Sequence, residues 1–153
     1  IVNSGTATGF GGGKVLQVVQ NTTLTTTTIT DSTTLTLAAD LNVAITPSAT
    51  DSKILVMMSC GGMITGVTNA VRLDMLRDVT TVVSRTRHGY YSGGATAWIP
   101  IPFQLHYLDS PSTTSEVTYT FKVSMGAASS TGTQINPSGG TASGSVIAME
   151  IGA

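Results

Sequence analysis

From Lys14 onward the chain alternates repeatedly between apolar and polar residues with a period of two. Val117, Tyr119, Phe121, Val123 and Met125 fall on one side, and Thr118, Thr120, Lys122 and Ser124 on the other. Successive side chains of a strand point to opposite faces, so this spacing predicts a half-buried strand. Leu41, Val43 and Ile45 alternate in the same way, as do Val71, Leu73 and Met75 before an Arg77-Asp78 turn, with Val82 continuing on its far side. The last run puts Ile147, Met149 and Ile151 on one face and Glu150 on the other. Ile99, Ile101, Phe103, Leu105 and Tyr107 also alternate, with Pro100 and Pro102 between them. Proline cannot donate to a ladder, so this segment should begin as a sheet edge or lead-in loop and pair from about Phe103.

Turn chemistry separates the runs: residues 46–52, 92–94, 109–115 and 136–140 are rich in Gly, Pro, Asn, Asp and Ser. No window has the sustained apolar spacing of a capped helix; Val67 to Arg77 comes nearest, but its β-branched content and alternation favour a strand. The Thr tract from Thr22 to Thr30 is low in complexity and reads as strand, because the branched Thr Cβ is stiff and packs well on a pleated surface. About eight to ten short strands with regular turns predict an all-β, antiparallel sandwich or barrel. Residues 1–13 end in three glycines and read as a flexible arm or linker, leaving 14–153 as one domain.

Composition narrows the function. Of the 153 residues only 15 are charged and the net charge is −1, well below the quarter or so usual in soluble domains. Seven scattered Lys and Arg make no basic face, which argues against nucleic acid as a partner. Hydrophobic residues are 41% of the chain, enough for a core, yet no apolar stretch approaches the ~18 residues of a membrane helix, so no membrane insertion is expected. The single cysteine, Cys60, excludes an intrachain disulfide and reads as a buried small hydrophobe.

Candidate chemistry is sparse. His88 and His106 have no partners at ligand spacing, so no metal or other cofactor is expected, except through a symmetry axis that would multiply a lone ligand. No nucleophile elbow is present. Asp31, Asp51, Asp78 and Asp109 read as turn residues, Asp74 as an outward partner of Arg72 or Arg85, and Glu150 as a carboxylate buried near a basic group. Aromatic and basic groups collect in one place, Arg87, His88, Tyr90, Tyr91 and Trp98, read as a loop that either stacks on sugar rings or closes an end of the sandwich.

The Gly-rich lead into KVLQVVQ, the ITPSATDSKILVMMS run, LRDVTTVV, LDSPSTTSEVTYTFKV and the terminal SVIAMEIGA together resemble the C-terminal or knob domain of tail-fibre and virion structural proteins of marine and cyanobacterial phages. The resemblance implies a jelly-roll sandwich, a homotrimer without enzymatic activity, and an extracellular place on the virion among other virion proteins, meeting a host-surface glycan. In a jelly roll the first and last strands are neighbours, so Val15–Val19 should lie beside Val146–Ile151. KVLQVVQ is apolar on both faces, and a strand apolar on both sides is covered on both sides. That predicts a subunit interface formed by Val15, Leu16, Val18, Val19, Ile147, Met149 and Ile151. A purely structural virion subunit and a polysaccharide-degrading enzyme are the competing readings; the latter needs two acids about 5–10 Å apart in a cleft.

Overall fold

The computed structural model describes residues 14–22, 25–29, 34, 36–64, 68–92, 99–125, 133–135 and 144–152. The expected arm, residues 1–13, lies outside them, as does Asp31. The described residues form strands without a helix: β1 (Val15–Asn21), β2 (Thr27–Ile29), β3 (Thr36–Ile45), β4 (Lys53–Ile64), β5 (Thr68–Arg77), β6 (Thr80–Ser92), β7 (Ile99–Asp109), β8 (Val117–Met125), β9 (Thr133–Ile135) and β10 (Gly144–Ile151).

Their pairing is nested. β5 pairs with β6, β4 with β7, β3 with β8, β2 with β9 and β1 with β10, all antiparallel, as in one long hairpin. Rolling that ribbon brings β10 against β4 and β8 against β5, giving two layers. In one layer β4 is flanked on one edge by β7 and on the other by β10, then β9, with β1 outside β10; the second runs β3-β8-β5-β6. This is the connectivity of a jelly roll. Val15 lies opposite Ile151 and Val19 opposite Ala148, the expected neighbourhood of first and last strands.

The core lies between the layers. Ile54, Val56 and Met58 of one layer and Val71, Leu73 and Met75 of the other belong to one buried cluster, and every apolar member of the β8 alternation is buried. At Gly62 an added Cβ would stand 1.9 Å from the Phe103 ring, so only glycine lets that ring lie across β4. β7 is an edge strand, as its prolines require, but it pairs with β4 along its whole length, from Ile99 opposite Ile64. Pro100 and Pro102 are tolerated because they sit on the unpaired edge's strand, opposite Met63 and Gly61. The Thr tract departs from expectation: among its described residues Thr27–Ile29 is strand, paired with β9, while Thr22, Thr25 and Thr26 are not. Thr propensity alone makes no strand without a ladder to join.

Polar side chains close both open seams between the layers. On one side Asn21 Nδ2 donates to the carbonyls of Asp40 and Asn42, each at 2.9 Å, and Gln17 Nε2 donates to the Thr46 carbonyl at 2.6 Å. These bonds tie edge strand β1 to edge strand β3 across the sandwich. Asp40 sits at the β3 irregularity with φ 58°, where the Thr25 hydroxyl also donates to its carboxylate. On the other side Asp109, at the end of β7, accepts from Arg77 at 2.7 Å and from the Tyr119 hydroxyl at 2.8 Å. Asp109 was expected in a turn; it is instead a buried strand-end carboxylate joining both layers.

Candidate assembly face

The outward face of the layer containing β1, β10, β4 and β7 is built by register. Directly opposed residues of an antiparallel pair share a face. Val18 opposes Met149, Met149 opposes Leu55, and Leu55 opposes Leu108, so one apolar row crosses all four strands. On one side of it runs Val15–Ile151–Lys53, and on the other Gln20–Ile147–Met57–His106; Ser145–Ser59–Gln104 then ends the apolar band. At the two ends of the central row Val18 is 55% and Leu108 48% exposed, while Met149 and Leu55 between them are half-buried. Leu16 is the extra residue of a bulge between Val15 and Gln17, exposed beside Gly152. Lys53 and His106 are the titratable groups in these rows, both at the margin.

The other layer's outward face is of opposite character. Its rows read Ala44–Thr118, Asn42–Thr120–Leu76, Leu37–Lys122–Asp74–Ser84 and Ser124–Arg72, with Leu76, Asp74 and Ser124 buried. Asp74 bonds Arg72 at 2.8 Å as expected, but along its own strand rather than across the hairpin, and Ser84 at 2.8 Å across it. A sandwich that stands alone presents polar residues on both outer faces. This one does so on one face only.

The predicted interface residues divide accordingly. Val15, Val18, Ile147, Met149 and Ile151 share the outward face and Leu16 adjoins it. Val19 does not: it opposes the buried Ala148 and packs against the core. The strand is apolar on both faces, as expected, and of the two faces Val19 takes the inner one. Leu55, Met57 and Leu108 were missed. Their signals were present: ILVMM at 54–58 is apolar on both faces, and Leu108 breaks the alternation after Tyr107.

Glu150 points the other way, into the molecule, and is fully buried. Among the described residues its hydrogen-bond partners are Ser48 and Gln17 rather than the expected basic group. Its Oε1 accepts from the Ser48 amide at 2.7 Å and the Ser48 hydroxyl at 2.6 Å, and its Oε2 from Gln17 Nε2 at 2.7 Å. Burial pushes its carboxyl up, but the hydrogen bonds from Ser48 and Gln17 outweigh this and hold it at about 2. The carboxylate thereby fastens β1, β10 and the β3–β4 connection behind the apolar face. Burial pushes the Cys60 thiol up to about 12, in keeping with a small core hydrophobe.

The aromatic and basic cluster is not a loop as expected. Arg87, His88, Tyr90 and Tyr91 lie on β6, with Tyr90 opposite Ala70 and Tyr91 opposite Asn69 on β5; Trp98 is outside the described residues. The long β5–β6 ladder continues through this segment, which turn-rich flanks had suggested was free.

No family model matches the chain, and no curated protein matches its sequence. Its shape does have relatives. A protein of the T13 particle of infectious bursal disease virus superposes with a TM-score of 0.54 at 10% identity, over 90% of this chain and 31% of its own. The VP2 subviral particle of the same virus gives 0.51 at 13% identity, over 89% and 32%. What is shared is the fold. The chain spans about a third of the length of these proteins.

Proposed function

We propose that this chain is a non-enzymatic structural domain of a virus particle, built to pack against other subunits. The fold likeness to two virus-particle proteins over nine-tenths of the chain supports it. The apolar outward face carries the reading, since a contiguous apolar patch on a sandwich marks a contact surface. The buried carboxylates support the absence of catalysis. Asp74 is held by Arg72 and Ser84, Asp109 by Arg77 and Tyr119, and Glu150 is pulled down, the reverse of what a general acid needs. Mass spectrometry and antibody labelling of purified particles test the reading: the chain is expected on them, and its absence from them overturns it.

The finer reading is a homotrimeric phage tail-fibre or surface-fibre domain that contributes to attachment to a host glycan. The sequence resemblance supports it, together with the collection of Arg87, His88, Tyr90, Tyr91 and Trp98 along and after β6. Light scattering should give a mass near three times 15.7 kDa, and a monomer at micromolar concentration sinks the trimer. Glycan-array binding is expected to be lost when Tyr90, Tyr91 and Trp98 are all changed to Ala; unchanged binding removes this segment from attachment.

A further inference from the structure

We infer that the outward face of the β1-β10-β4-β7 layer is occupied by a second copy of this chain, meeting it through the row Val18–Met149–Leu55–Leu108; this rests on the structural reading above and names the partner.

Size comes first. Four strands about 4.8 Å apart and five residues at about 3.4 Å give an apolar band on the order of 330 Å² in plan. Side-chain relief enlarges the accessible area, which brings it toward the ~800 Å² per partner of a stable interface. Charge then selects the occupant. The rows contain no acidic residue, and Lys53 and His106 stand only at the margin, so the face offers nothing for a charged partner to complement. A lipid surface is recognised by Lys and Arg beside the apolar stripe, and a single Lys is a poor match. Residues 1–13 hold Ile1, Val2 and Phe10 as their large apolar side chains, too few to cover four strands. The complement required is a neutral apolar sheet face of equal size. Among the described residues this face itself is the one that qualifies, because the opposite layer's rows set Leu37, Ala44 and Leu76 apart among Thr118, Thr120, Lys122, Arg72 and Ser84 instead of joining them into an apolar band. Identical subunits bring such faces together about a symmetry axis.

The test uses the full chain in four forms: wild type, Leu55→Arg, Leu108→Lys and Val79→Lys. Val79 is the control, 91% exposed and apolar but at the β5–β6 turn, away from the face. Light scattering across a concentration series should show wild type and Val79→Lys as the same oligomer. Leu108→Lys should need at least tenfold higher concentration to assemble, and Leu55→Arg should be monomeric, each keeping a β-sheet circular dichroism spectrum. Leu108 is half exposed at the sheet edge, so Leu108→Lys keeps a folded monomer and decides the matter if Leu55→Arg unfolds. An oligomer unchanged by both face variants overturns the inference while leaving the particle reading intact. A wild type that stays monomeric across the whole concentration series also overturns it. The particle reading is decided separately, by the labelling of purified particles.

Discussion

Glu150→Gln should destabilise the domain at neutral pH by about 2 kcal/mol. Three donors converge on the carboxylate: the Ser48 amide, the Ser48 hydroxyl and Gln17 Nε2. A glutamine can keep its oxygen toward Ser48, but its amide nitrogen then faces the Gln17 amide, donor against donor. The loss is therefore one hydrogen bond to a charged group, about 1.5–3 kcal/mol, while Gln17 keeps its bond to the Thr46 carbonyl. Glu150→Ala orphans all three donors and should cost more, about 3–5 kcal/mol. The pH dependence follows from a folded-state value near 2 against an ordinary 4.5. A depressed carboxyl contributes stability that is full above about 4.5 and is lost as the pH falls toward 2. Denaturant melts of wild type and Glu150→Gln at one fixed protein concentration should therefore differ at pH 7 and converge between pH 4.5 and 2. Equal stability at pH 7, or a gap that persists undiminished at pH 2, would refute the reasoning.

Asp109 makes a second stability prediction. Tyr119→Phe removes a buried donor and should cost about 1–2 kcal/mol, whereas Arg77→Ala leaves a buried carboxylate without its cation and should cost more, about 2–4 kcal/mol, both by denaturant midpoint. Gly62→Ala drives a methyl into the Phe103 ring and should cost about 1–3 kcal/mol; Phe103→Leu in the same chain should recover part of it, since residues in contact couple. Cys60 should resist a thiol reagent at pH 8 in the native protein and react readily in denaturant, because burial holds its thiol at about 12; rapid native labelling counts against its place in the core.

Most of the strand content was legible in the chain because solvent and core impose a period of two wherever one face of a strand is wet. Val117 to Met125, Leu41 to Ile45 and Val71 to Met75 show it, and all their apolar members are buried. Legibility failed where a residue's fate depends on its neighbour in space. The Thr tract has strand propensity throughout, yet among its described residues pairing is confined to where β9 meets it. Glu150 is buried as expected, but its partners are Ser48 and Gln17 rather than a basic group, because only the closing of β1 and the β3–β4 connection onto β10 brings those donors to it. The assembly face was half visible: β1 and β10 declared it, while Leu55, Met57 and Leu108 joined it only through registers that connect distant parts of the chain.

By itself the sequence determined an all-β domain, the identity of most core positions, the near absence of charge, and a first strand too apolar to be wet on one side. Those properties are local, set by side-chain chemistry and the two-residue repeat of a strand. The tertiary structure decided the rest: the nested rolling that puts β1 beside β10 and β10 beside β4, the donors that keep Glu150 charged in the interior, and the row from Val18 to Leu108. A face is a property of several strands in register, and register between residues a hundred positions apart is set only when the whole ribbon closes on its core.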